Sequence, residues 1–260
     1  MSLSVESVVA ASNAWSWVPD NATTAETDEY LLVRFPDYFD HQLELTRFSP
    51  AGSVAGGVAA VLGRARQFGL PELYWMVKLD SPPGVAELLG DGASVAETLD
   101  VLALDLRGGA PALRPPARAV EVRWATDVAT ARDGSQMGAA VFGGSMPPEE
   151  RLEENARRDG AAVPAGEGGM VVAYAGGAPV GSGGVSIVDG VARLWGGAVA
   201  ESARGQGVYR AILAARLAYG VAHGASMALV KGRVETSGPI LRRAGFTVYG
   251  QELIYRVPLA

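Results

Sequence analysis

The chain has 260 residues, 48% of them hydrophobic and 19% charged, which is enough to bury a full core without disulfides or metal. With no cysteine and only His41 and His223, it excludes thiolate nucleophiles, cysteine-ligated zinc and a histidine-rich metal centre. The net charge of −6 is shared unevenly, since residues 1–117 hold 7 basic and 15 acidic side chains whereas residues 118–260 hold 15 and 13.

In the first half, the pattern reads as helix 53–68, strand 73–77, helix 83–90 and strand 97–106, with Trp15, Trp17, Tyr74 and Trp75 as packing residues. The Pro-rich stretch from Pro111 to Pro116 then breaks the periodicity. It divides the chain into expected domains at residues 1–112 and 118–260. Past it, 119–125 alternates like a strand, and Thr126-Asp127 supplies a helix cap. Pro147-Pro148-Glu149-Glu150 opens a second helix, read as running to about Asp159 before a Gly-rich loop at 160–169.

Three strands are expected next, at 170–175, 179–188 and 191–199, the last two joined by Asp189-Gly190, a hairpin signal. From Gly207 to His223 the apolar spacing is helical. A buried strand at 226–230, a helix capped by Thr236 or Ser237 and ended by Gly245, and a closing strand pair from Phe246 complete the order. At an ungapped offset of 153 residues, Val77, Lys78, Leu88, Gly92 and Leu106 meet Val230, Lys231, Leu241, Gly245 and Leu259. That repetition suggests a duplicated fold.

Chemistry concentrates at Trp195 to Val199, a short loop, and then Arg204-Gly205-Gln206-Gly207-Val208-Tyr209 at the start of the long helix. Unpaired amides and partial positive charge at a helix start favour a phosphate, and the glycines admit it to the backbone. The stretch lacks the third glycine of a dinucleotide fingerprint, and no G-x-x-x-x-G-K-[ST] occurs in the chain. Around it, Arg204, Arg210, Arg216, Lys231, Arg233, Arg242 and Arg243 meet only Glu235, a balance suited to an anion. Nucleic acid is not the expected anion, because the chain is acidic and the cluster lacks interleaved aromatics.

The segment Arg204-Gly205-Gln206-Gly207 resembles the R/Q-x-x-G-x-G/A signature of the GNAT superfamily of acyl-CoA-dependent acyltransferases. The resemblance covers residues 118–260, includes the order of elements, and extends to Leu241-Arg242-Arg243-Ala244-Gly245-Phe246. It implies an α/β fold with a mixed sheet, in tandem with a degenerate N-terminal copy that lacks the signature and is expected not to hold coenzyme A. By the same resemblance, Ala198 and Val199 pair with pantetheine, amides of Gly205, Gln206, Gly207, Val208 and Tyr209 cradle the pyrophosphate, Arg204 adds charge, and Ser237 offers a polar contact. Acetyl-CoA is the implied co-substrate, with no metal.

The sequence departs from the family at Tyr209, where Gly or Ala is usual, and at Leu241, where many members have a proton-donating Tyr. Val234 replaces a usual Asn, and Trp195, Gly196 and Gly197 stand where a Glu is often found. Catalytic residues are therefore left unassigned, with Glu201, Glu235 and Tyr255 the nearest polar groups in sequence.

The expected activity is N-acyl transfer to an amine of a small molecule or protein; the alternative is an acyl-CoA-binding or sensing module without turnover. A hydrolase using Ser226 and His223 is disfavoured, since helix precedes strand there, the reverse of a nucleophile elbow. The resemblance places the acceptor near Met137, Phe142, Met146, Tyr174 and Trp195. The acidic first half either draws a cationic amine or keeps the protein soluble. No run of 18 apolar residues occurs and the first basic side chain is Arg34, so the expected protein is cytoplasmic, with no membrane or nucleic-acid partner, as a monomer or homodimer.

Overall fold

The computed structural model describes residues 3–259. They group into two compact units that interleave in sequence. The first takes Ser4–Val101, Gly232–Pro239 and the residues from Val248 on; the second takes Leu102–Lys231 and Ile240–Thr247.

In the first unit, Ser4 caps α1 (Val5–Asn13) by accepting the Ser7 amide. Strands β1 (Thr23–Glu26), β2 (Tyr30–Arg34) and β3 (Leu43–Phe48) run antiparallel to their neighbours. Helix α2 (Val54–Arg66) then crosses to β4 (Glu72–Val77), which lies parallel to β3. Val58, Val61 and Ala65 form the buried stripe of α2, at the spacing one helix face requires. They close over Leu32, Leu43, Leu45, Leu73 and Trp75, all inaccessible to solvent. Trp75 thus packs as expected, whereas Trp17 does not: half-exposed, it stacks on Phe35 at 5.7 Å. The short helix α3 (Val85–Leu88) and β5 (Ser94–Asp105) follow.

The second unit starts with β6 (Glu121–Trp124) and α4 (Val128–Phe142), whose cap is Asp127 accepting the Thr130 amide. Helix α5 (Glu149–Ala165) runs beyond the expected end at Asp159. Gly160 is tolerated because Ala161, Ala162 and Val163 carry the helix on to Gly166, whose positive φ of 83° ends it. The buried Asp159 carboxylate accepts the Met170 amide and ties the helix to the next strand.

Strands β7 (Gly168–Ala175), β8 (Ala178–Val188) and β9 (Val191–Val199) form an antiparallel meander. A 3-10 turn at Glu201–Ala203 leads to α6 (Val208–Ala222) and to β10 (Met227–Arg233), parallel to β9. The order across this sheet is β6-β7-β8-β9-β10. The Tyr219 hydroxyl accepts the Gly168 amide and donates to the Val163 carbonyl, linking α6 to α5 and β7.

Helix α7 (Ser237–Arg243) precedes β11 (Thr247–Pro258), a single strand where a pair was expected. It pairs antiparallel with β4, from Leu253 opposite Val77 to Pro258 opposite Glu72, and so belongs to the first unit. The 153-residue offset carries β5 onto β11 end to end. Both units also repeat one plan: three antiparallel strands, a helix, and a strand returning parallel to the third.

Candidate functional site

Strands β9 and β10 pair only from Val191 to Leu194 against Met227 to Val230. Beyond that point β9 continues through Trp195 to Val199 with β8 as its one strand partner among the described residues, leaving its other edge unpaired. A register shift opposite Ser182 to Gly184 falls in the same stretch. Ala198 is buried and Val199 half-buried at the end of this edge, where the Ala200 amide donates back to Val180.

Arg204 is exposed and extended after the 3-10 turn. Gly205 and Gly207 then adopt φ of 73° and 89°, a left-handed conformation that side chains resist. Among the described residues, the amides of Gly205, Gln206, Gly207, Val208, Tyr209 and Arg210 donate to no protein acceptor. Donors left this way at the head of a 15-residue helix suit a diphosphate, which has enough oxygens to accept several of them.

Val208 is fully packed against Val171, Ala173 and Ile212, which fixes the helix beneath the loop. Tyr209, the departure from the signature, turns its ring toward β9: a side-chain carbon on Gly197 would lie 2.9 Å from it. Its bulk therefore lies over the strand and its amide remains available. The end of the Pro-rich stretch and Ala117 contact the loop. Gln206 accepts the Ala117 amide, Arg210 Nε donates to the Arg114 carbonyl, and a side-chain carbon on Gly207 would come within 2.8 Å of Pro116 Cα.

In the first unit the corresponding helix start is built differently. Ser53 Oγ accepts the Gly56 amide, so α2 satisfies one of its own donors. The pairing of β3 with β4 is also short there, and a cavity of about 260 Å³ lies by Phe48, Met76 and Lys78, with Lys78 Nζ donating to the Asn13 and Trp15 carbonyls.

Of the remaining candidates, Ser237 is the half-buried first residue of α7. Leu241 is wholly buried in the second unit's core with Ala244 and Phe246. The Val234 amide donates to Thr98, Glu201 and Glu235 are exposed, and Tyr255 packs against the first unit's core. Ser226 Oγ donates to Gly190, while His223 Nδ1 faces the Tyr219 carbonyl at 2.9 Å, so these two form no nucleophile and base pair.

On the α4 side of the sheet, the Trp195 indole lies against Gly184 and donates to Ser186. The Tyr174 hydroxyl donates to Asp133 at 2.7 Å, and Arg123 sits 4.6 Å from the ring centre. Burial, followed by the Asp133 carboxylate, pushes the Tyr174 pKa up to about 12, so at neutral pH this phenol is a donor and not a base. Because the folded pKa is raised above its ordinary value of 10.0, the stabilisation is complete below pH 10 and disappears as pH rises through about 12. A Tyr174→Phe difference titration at 295 nm is expected to show the missing phenol ionising near 12; a midpoint at 10 contradicts the arrangement. Met137 is half-buried, while Phe142 and Met146 stand exposed at the α4–α5 connection.

Sequence reading counted Arg216 in the basic cluster but missed its burial. It sits in the apolar stripe of α6, four residues after Ile212 and eight after Val208, and is as buried as they are. An arginine at a core position of an amphipathic helix was the available signal.

Residues 139–242 match the model of the acetyltransferase (GNAT) family. Among solved structures, a GCN5-related N-acetyltransferase from Kribbella flavida is similar, with a TM-score of 0.66 and 17% identity over 91% of this chain and 90% of that one. A tandem GNAT protein from the clavulanic acid biosynthesis pathway, solved without AcCoA, gives 0.62 and 17% over 94% and 85%. A GCN5-related N-acetyltransferase from Sphaerobacter thermophilus gives 0.62 and 19% over 89% and 81%. No curated protein sequence matches significantly. The likenesses span most of the chain and show a mixed α/β fold of the GNAT type. Among the described residues no cluster of metal-ligating side chains occurs, and no helix is long and apolar enough to cross a membrane.

Proposed function

With a GNAT acetyltransferase domain at residues 139–242 as the premise, we propose that the second unit transfers an acyl group, acetyl in the simplest case, from its coenzyme A thioester to an amine. The observation that carries this reading is the run of amides from Gly205 to Arg210 without protein acceptors, set beside the open edge of β9. The loop and Arg204 hold the diphosphate, and the free edge from Trp195 to Val199 fixes the register of the amide-bearing arm through main-chain hydrogen bonds.

The amine nitrogen forms a bond to the thioester carbonyl carbon, the carbon–sulfur bond breaks, and one proton passes from nitrogen to the departing sulfur. Leu241, in the place of the usual phenol, cannot supply that proton. Positioning then carries the rate, without the ~10²–10⁴-fold that an acid or base adds. Exposed Phe142 and Met146, with Tyr174 and Trp195, favour an acceptor with an apolar body, small molecule or protein. We place the activity in the cytoplasm.

Release of free thiol from acetyl-CoA in the presence of an amine panel tests the proposal. Turnover with at least one amine is the expected result. Binding without turnover across the panel favours the non-catalytic reading, which rests on Leu241. No association with coenzyme A at millimolar concentration overturns both.

A further inference from the structure

Arg216 is the one charged side chain in the buried stripe of α6, flanked by Ile212, Leu213, Leu217 and Gly220. Only 1% of it meets solvent. Its Nη1 donates to the Gly184 and Trp195 carbonyls at 3.2 and 3.3 Å, while Nε and Nη2 have no acceptor. The side chain that supports its charge is Tyr209, with Arg216 Cζ 5.9 Å from the ring centre, and no carboxylate acts on it.

A guanidinium kept from water without a counter-charge opposes folding, and a leucine or methionine there would pack without that cost. The surrounding backbone nevertheless makes room for it: a side-chain carbon on Gly183 would lie 3.1 Å from Cζ. Tyr209 and the two carbonyls offset part of that cost, and an anion from outside the chain would supply the counter-charge.

The surroundings say which anion. Trp195 is the first residue of β9 beyond its last partner on β10, so the guanidinium reaches the β9 backbone where that edge loses its strand partner. Gly183 and Gly184 face opposite sides of the sheet, the first toward Arg216 and α6, the second toward the Trp195 indole. Arg216 therefore shares the face of the phosphate-binding helix start, away from the side assigned to the amine. A negative group reaching it travels with the thioester arm. Coenzyme A's own anions are the diphosphate, proposed at Gly205 to Arg210, and the 3′-phosphate on the nucleoside side of it, so an anion on the thioester side of the diphosphate belongs to the acyl group.

We propose that Arg216 receives the terminal carboxylate of a short dicarboxylic acyl group, making this acyl-CoA site selective for a charged acyl over acetyl. The inference rests on the acyl-transfer reading above. It is tested by calorimetric titration of the full chain with coenzyme A, acetyl-CoA, malonyl-CoA and succinyl-CoA.

Wild-type protein is expected to bind malonyl-CoA or succinyl-CoA at least about tenfold more tightly than acetyl-CoA. R216M, checked for folding by circular dichroism, is expected to lose that preference while keeping its affinity for coenzyme A itself. Equal wild-type affinity for all three thioesters overturns the proposal and leaves the acyl-transfer reading standing, without needing any variant. A folded R216M that retains the preference also overturns it. If coenzyme A does not bind at all, the underlying reading fails instead.

Discussion

Gly205→Asp is expected to weaken coenzyme A binding by about 100-fold while leaving the fold intact. Gly205 has φ of 73°, and a side-chain carbon there would meet nothing within 4 Å, so the substitution meets no steric obstacle. Aspartate and asparagine are the residues that best tolerate this left-handed backbone, at a cost of about 1 kcal/mol. The new carboxylate, however, stands where the diphosphate is proposed to dock. Two like charges 4 Å apart repel by about 4 kcal/mol at an effective dielectric of 20, less where water screens them. A net loss of about 2.7 kcal/mol corresponds to the stated factor.

Gly205→Asn provides the matched control, with the same backbone cost and no charge. Calorimetry that finds the two variants equal in affinity would remove the loop from the binding site. Gly207 is a poorer place for this test. A Gly207→Glu change would repel the diphosphate too, and from sequence alone little loss of fold is expected. The structure corrects that expectation, because the new side chain would strike Pro116 backbone at a φ of 89°.

Gly168→Ala is expected to destabilise the protein by about 4 kcal/mol, a large part of the 5–15 kcal/mol that holds a typical domain together. Gly168 opens β7 opposite Ser186 with φ of 107°. A methyl group there would overlap the Val185 carbonyl oxygen and lie 2.8 Å from its carbon and 3.0 Å from Ser186 Cα. All three are backbone atoms, so no side chain can swing aside. Either β8 moves or the strand changes conformation, and the latter disturbs the Gly168 amide held by Tyr219. Gly176→Ala, at φ of 58° with nothing within 4 Å, is expected to cost only about 1 kcal/mol. Urea unfolding that gives both variants similar midpoints contradicts the close approach of β7 and β8.

Much of this architecture is legible in the residues because local rules agree. Asp189-Gly190 takes positive φ at both positions and joins β8 to β9, as that dipeptide between apolar runs requires. Ser53 and Asp127 cap the helices that follow them. The glycines of Arg204 to Gly207 mark the helix start where the amides are left over. Legibility ends where tertiary contacts decide. Helix α5 continues past Asp159, whose carboxylate reaches the Met170 amide, to the left-handed Gly166, although a glycine at 160 reads from sequence as a stop. The role of Tyr209 depends on the space left by Gly197, and Arg216 on the carbonyls of Gly184 and Trp195, all distant in the chain. The first three strands are short, and their sequences carry too little alternation to stand out.

The pairing of β11 with β4 gives the molecule a particular history during synthesis. The first unit's strand β4 waits for residues 248–258, which are made after every residue from Leu102 to Thr247. Until they arrive, β4 presents Leu73, Trp75 and Val77 on a strand with one side unoccupied, the kind of edge that recruits other chains. Translation order and folding order are therefore opposed, since residues 4–101 are made before the second unit yet gain their last strand after it.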